Sequence, residues 1–238
     1  MVWRMIRHAF SFTGFSCIMN GRKYVNMKYY YVMVSKDSQS VSRKPYTYIL
    51  GGVYMAKLDG FMALLTGSFN NREQYDALQK EGKEFPYAEH MNTVCNDKIS
   101  NLPPEFQGKF MVEESIYEVN GKRHCSSHLF LFTEEPEGIL LTSYEIPDGN
   151  DKTTFSYKNM KTADFQYLKI SEKFTPALFQ ETDGVWEGGS TSMFTSVMRF
   201  QLFERFSKEC LEVSETMEVN GKRTFGYDEP ICYKQVSD

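Results

Sequence analysis

The stretch FMVEESIYEVNGKRHCSSHLFLFT, residues 110–133, decides the fold. Asn120-Gly121 sits at its centre, and Asn-Gly supplies the two positive-φ residues of a type I′ turn that joins two antiparallel strands. A two-residue loop there fixes the register. Val119 pairs with Lys122, Tyr117 with His124, Ser115 with Ser126, Glu113 with His128, and Met111 with Phe130 on one face. Ile116 with Cys125, Val112 with Leu129 and Phe110 with Leu131 share the other. Neither face is cleanly polar, so the sheet is expected to be covered on both sides near this hairpin.

The turn recurs. Glu118-Val-Asn-Gly-Lys-Arg123 is repeated residue for residue as Glu218-Val-Asn-Gly-Lys-Arg223, and Met19-Asn-Gly-Arg-Lys23 is a looser copy. In each exact copy Glu and Arg face each other across the strands. A hexamer is too short to mark duplicated domains, so it reads as one turn solution used twice. Period-two patterns rich in Phe, Tyr, Val and Thr predict strands over 110–119, 124–133, 138–146, 153–157, 192–206 and 209–219. Before them, Leu58, Phe61, Met62 and Leu65 fall on one helical face that Gly67 ends. Asn71-Arg-Glu-Gln74 has the form of a capping box opening a second short helix through Leu78. The fold class is therefore mostly β, an antiparallel sandwich or barrel with one or two short helices at the start of the domain.

Composition narrows the function. The chain has 238 residues, a net charge of −4 and five cysteines with no C-x-x-C pair. That gives no electrostatic case for nucleic acid and argues against a disulfide scaffold or a zinc knuckle. No apolar window is long enough for a membrane span. The charge is uneven. Residues 1–57 hold nine Lys/Arg against Asp37 alone, a net +8, whereas residues 58–238 carry −12. Residues 1–57 thus read as a basic leader and 58–238 as the folded domain. The leader has the composition of an organelle transit peptide, which would direct the chain to a plastid or another organelle. It also fits a dispensable extension, with Met27 or Met55 as the working start, or a structured strand.

Within the domain, Glu113 and Glu215 interrupt inward-facing positions and are the candidate carboxylates of a barrel lumen. A buried carboxylate needs a partner, and His128 stands across the strands from Glu113. Tyr117, His124 and His128 share that face, which is either a ligand-lining wall or the wet side of the sheet. Residues four apart in a strand are about 13 Å apart, too far for His124, Cys125 and His128 to share one metal ion. Trp186, in Gly184-Val-Trp-Glu-Gly-Gly-Ser-Thr191, either lines a pocket or plugs a barrel end. No nucleophile elbow, P-loop, dinucleotide fingerprint or zinc-protease motif occurs.

Several segments, in order, resemble the CpcT/CpeT family of phycobiliprotein chromophore lyases. Leu65-Thr-Gly-Ser-Phe-Asn-Asn-Arg-Glu-Gln74 looks like its helix-then-"F-S-N-x-x-Q" opening, and Met111-Val-Glu-Glu114 resembles its "Y-x-E-Q" strand. Glu187-Gly-Gly-Ser-Thr191 is similar to its "F/Y-x-G-x-T" element. Arg223-Thr-Phe-Gly226 through Pro230-Ile-Cys-Tyr-Lys234 is similar to its terminal "V-W-G…G-P-Y-x-F-x-K". The similarity spans roughly residues 58–235. It implies a calycin-like β-barrel that holds an open-chain tetrapyrrole, a bilin, and hands it to a cysteine of a phycobiliprotein subunit. The bilin would be substrate or ligand, with no resident cofactor or metal. On that reading Glu113 is the catalytic residue, and Glu113, Tyr117, His124, His128, Trp186 and Glu215 line the ligand. The sequence departs from the family at His124-Cys-Ser-Ser-His128, where the family has "P-Y/F-R-x-R", and at Ser214-Glu215-Thr216, where it has "D-R-G". Histidine and serine do not reproduce the bidentate contacts of arginine with carboxylates such as bilin propionates. Two other readings keep the barrel: a lipocalin-like carrier or sensor of a tetrapyrrole or lipid without transfer, and a structural or interaction protein with a filled barrel.

Overall fold

The computed structural model describes residues 57–236 together with two short strands near the start of the chain. Those strands, β1 (Ser16–Met19) and β2 (Arg22–Val25), pair antiparallel with Met19 opposite Arg22. They belong to a unit separate from residues 55–238. The strand reading of the leader holds for these eight residues; the targeting reading lies outside the described ones.

The larger unit begins with α1 (Lys57–Leu65), β3 (Gly67–Asn70), α2 (Arg72–Lys80) and β4 (Tyr87–Val94). Short β5 (Ile99–Ser100) precedes β6 (Lys109–Val119), β7 (Lys122–Glu135) and β8 (Gly138–Tyr144). After β9 (Ala163–Asp164) come β10 (Ala177–Thr182), β11 (Val185–Met193), β12 (Met198–Phe206), β13 (Leu211–Val219), β14 (Lys222–Phe225) and β15 (Ile231–Gln235). The sheet runs β12-β11-β10-β8-β7-β6-β4-β3-β15-β13, and β13 pairs again with β12. This closes a ten-stranded antiparallel barrel, with β14 beside the upper half of β13. Closure removes the exposed edges that an open sheet would present.

The hairpin registers agree with the sequence reading. β6 and β7 pair Val119 with Lys122, Glu113 with His128 and Phe110 with Leu131. Asn120 and Asn220 have φ of 51°, with Gly121 at 71° and Gly221 at 74°, the type I′ signature at both copies. Both faces of β6–β7 are covered. Phe110, Val112, Leu129 and Leu131 point outward into a second core with Cys95 and Ile99 from the connection between β4 and β6 and Phe155 and Met160 from the long excursion between β8 and β10. The parallel pairing of β5 with β9 ties that excursion down.

Three expectations are corrected. Residues 153–157 form turns, because the Asp151 carboxylate accepts from the Thr153 amide at 2.8 Å and Phe155 enters the outer core. The stretch 192–206 is two strands, because the chain reverses between Met193 and Met198. Asn71 makes no side-chain cap on α2. Its amide donates to the Pro86 carbonyl at 2.9 Å and accepts from the Ala88 N–H at 2.8 Å, while Gln74 donates to the Pro230 carbonyl and accepts from the Cys232 N–H, each at 2.9 Å. The two amides thus clamp α2 to β4 and β15.

α1 plugs the barrel. Its face of Leu58, Phe61, Met62 and Leu65 is buried, and the Phe61 ring lies 5.1–5.5 Å from those of Phe132, Phe179, Trp186 and Phe206. Offset and edge contacts at such distances add to burial. Phe61→Ala is expected to lower unfolding free energy by about 3–5 kcal/mol, measured as a reduced midpoint in urea at unchanged m-value.

Candidate functional site

Alternation along the strands sends one set of polar side chains into the barrel beyond the plug. β6 contributes Glu113, Ser115 and Tyr117; β4 contributes His90 and Asn92; β7 contributes His128. From β12 and β13 come Glu204 and Glu215, and from β15 comes Tyr233. Glu204 is buried, and Glu113 has 18% of its side chain exposed. The register places Asn92 and His128 on either side of Glu113 and His90 opposite Ser115.

A hydroxyl chain links the strands. Tyr233 donates to the Tyr117 oxygen at 3.4 Å, and Tyr117 donates to Glu215 Oε2 at 3.1 Å. The His90 ring lies 4.3 Å from that of Tyr233, and its Nδ1 stands 3.9 Å from Glu113 Oε2. That separation is longer than the 2.7–2.9 Å of a charge-assisted hydrogen bond. His90 Nε2 and Asn92 Oδ1 are buried without a hydrogen-bond partner among the described residues. The Asn92 amide is turned the other way, donating to the Leu65 carbonyl at the end of α1.

Electrostatics set the protonation states. Among the described residues no lysine or arginine lies within ion-pair distance of Glu113, Glu204 or Glu215. Burial, and then the nearby Glu215, push Glu113 up to about 8. Burial followed by Glu113 and Glu215 raises Glu204 well above the carboxylate range, and burial raises Glu215 against the opposing hydrogen bond from Tyr117. Burial brings His90 down to about 3, and burial with nearby Lys173 lowers His128. At neutral pH the lumen therefore holds protonated Glu113 and Glu204 and neutral imidazoles.

The other end of the lumen is aromatic. Phe174, Phe194 and Phe200 lie 5.2–5.9 Å from one another, and Phe174 is 6.2 Å from His128, which stacks on Phe130. Lys173 Nζ stands 4.7 Å from the Phe194 centroid, the nearest permanent cation to this group of rings.

Of the residues singled out from sequence, Glu113, Tyr117, His128 and Glu215 come together in this lumen. His124 is exposed next to the Asn120-Gly121 turn. Trp186 is buried edge-on against Phe61 at the plugged end. Glu204, His90, Asn92 and Tyr233 were not singled out. Glu204 carried a signal: it shares the phase of Phe200, Leu202 and Phe206, an acid in an apolar series, but a single strand over 192–206 hides that phase.

These features define the class: a closed antiparallel β-barrel with a carboxyl-rich, aromatic-capped lumen. No protein-family model matches the chain, and no curated protein matches it.

The raised carboxyls give a signed pH dependence. A carboxyl whose folded value exceeds its unfolded value stabilises the fold below the unfolded value, and the benefit is lost as pH rises through the folded one. Thermal stability is thus expected to fall between about pH 4.5 and 8 on account of Glu113. Glu113→Gln should make that fall shallower, as seen in melting temperatures across the range.

Proposed function

We propose that the barrel binds an open-chain tetrapyrrole and assists its covalent attachment to a cysteine of a phycobiliprotein subunit. The observation that carries this reading is the group of three inward carboxyls, Glu204 buried and Glu113 and Glu215 half-buried, with no lysine or arginine at ion-pair distance among the described residues, capped by aromatic rings. Such a site suits a flat, conjugated ligand with several N–H groups and a positive charge when protonated. Pyrrole nitrogens donate to the carboxyl oxygens of Glu113, Glu204 and Glu215, and the rings of Phe174, Phe194 and Phe200 stack against the conjugated plane. The ordered resemblance of residues 58–235 to the chromophore lyases supports the same ligand.

For transfer, the barrel positions the vinyl-side carbon of the bilin for an incoming thiol. Glu113, protonated at neutral pH, gives a proton to the bilin as the thiol sulfur bonds to carbon and the C=C bond becomes single. The thiol proton then restores the carboxyl, so the overall step is an addition. Lys173, beside the aromatic cap, is the cation available to a propionate in place of the family's arginines.

The replacement of those arginines by Ser126 and His128 favours a second reading, in which the barrel carries the bilin without transferring it. Purified protein mixed with phycocyanobilin is expected to develop a red-shifted visible band, weakened at least tenfold in apparent affinity by Glu113→Gln and by Glu204→Gln. An unchanged spectrum would exclude both readings and leave a barrel without this ligand. Zinc-fluorescent, covalently labelled apo-phycobiliprotein subunit appears only if transfer occurs.

A further inference from the structure

The barrel wall has a gap. Strand β13 pairs with β15 over Leu211–Val213 and with β14 over Met217–Val219, so along that edge Ser214, Glu215 and Thr216 lie between two partners. The chain leaving β14 turns across the gap at Gly226, with φ of 110°. A Cβ there would stand 2.4 Å from the Glu215 carbonyl oxygen, so only glycine permits this close crossing. The turn carries Tyr227 and Glu229 over the opening.

A small cleft results, lined by Tyr117, Glu215, Phe225, Tyr227 and Glu229 together with the apolar side chains at its base. Its enclosed room is about 10 Å³, the space of a single water-sized group. Three of its walls are rings set nearly at right angles. Tyr117 and Phe225 have centroids 6.5 Å apart at 80°, and Phe225 and Tyr227 lie 6.2 Å apart at 71°. Phe85 backs Tyr227 at 5.2 Å and holds it in place. Glu215 lies on the inner side, with Tyr117 donating to its Oε2, and Glu229 lies on the outer side. Lys83 does not line the cleft; it is 3.8 Å from Glu229 and 3.0 Å from Glu81, and Arg223 pairs with Asp228 at 2.6 Å.

Ring faces carry negative potential and attract a cation within about 6 Å of their centroids. Three rings around one water-sized space, with a glutamate carboxyl group on each side, form a receptor for a compact cation with hydrogen-bond donors. A guanidinium plane or a quaternary ammonium exceeds the available room. We propose that this cleft binds the primary ammonium group at the end of an alkyl chain, whether a free amine or a lysine side chain. The site stands independently of the tetrapyrrole reading, because Phe225, Tyr227 and Glu229 take no part in the lumen. It communicates with the lumen only through Glu215 and Tyr117.

Calorimetric titration of the full chain at pH 7.5 tests the assignment, using n-butylammonium chloride, tetramethylammonium chloride and a capped Gly-Lys-Gly peptide against capped Gly-Ala-Gly. Saturable binding of butylammonium is expected, with at least tenfold weaker binding of tetramethylammonium. Tyr227→Leu, at a half-buried position, and Glu229→Gln, at the surface, should each weaken butylammonium at least tenfold, while Glu204→Gln, confined to the lumen, leaves it unchanged. Binding of the lysine peptide but not the alanine peptide would extend the site to protein side chains; butylammonium binding alone would restrict it to small amines. Absence of saturable heat would overturn the proposal. So would binding that survives both cleft replacements but is lost in Glu204→Gln, which would put the amine in the lumen.

Discussion

Glu113, Glu204 and Glu215 project from β6, β12 and β13 into one enclosed space, and no lysine or arginine among the described residues comes within ion-pair distance of them. Ionising even one such group away from water costs several kcal/mol unless a counter-charge accompanies it. The free barrel meets this constraint by keeping Glu113 and Glu204 protonated and His90 and His128 neutral. A ligand that brings positive charge and N–H donors meets it differently, by letting the carboxyls ionise. The unpartnered His90 Nε2 and Asn92 Oδ1 add polar groups that the protein itself leaves unsatisfied.

The rest of the molecule builds and bounds that space. The Asn-Gly turn at residues 120–121 sets the phase that aims Glu113 inward, and the continuous ladder of β13 with β12 sets that of Glu215. The α1 helix fills one end with Phe61, and Phe174, Phe194 and Phe200 gather at the other. The clamps of Asn71 and Gln74 hold α2 across β4 and β15, so the start of the domain and its last strand are fastened together. Where β13 changes partner from β15 to β14 the wall opens beside Glu215. One carboxyl consequently belongs to two environments, the lumen and the side cleft, joined by the Tyr117 hydroxyl.

Much of this was legible in the chain because β-registers propagate from turns. Once Asn120-Gly121 is read as a two-residue loop, the partner and face of each residue from Lys109 to Phe132 follow, including Glu113 opposite His128. The helical phase of Leu58, Phe61, Met62 and Leu65 was equally plain, although its partners were not, since helical periodicity gives a buried face without naming what covers it. Long-range closure had no local signal. β12 and β13 pair as a hairpin between Phe206 and Leu211, but the pairing of β3 with β15 that completes the ring joins Phe69 and Asn70 to Gln235 and Lys234, far apart in the chain and linked by no turn. Asn71 and Gln74 misled for a related reason: an amide suited to capping a helix is equally suited to bridging strands, and tertiary contacts decide between the two.

The central claim is that burial raises the lumen carboxyls of the free protein above the ordinary carboxylate range. It is tested most directly by carbon-13 NMR of protein labelled at the glutamate carboxyl carbon, followed from pH 4 to 9. Resonances assigned through Glu113→Gln, Glu204→Gln and Glu215→Gln should show Glu113 titrating near pH 8, with Glu204 and Glu215 also above the ordinary range. Titration of all three near the ordinary glutamate value of about 4.3 would contradict the account.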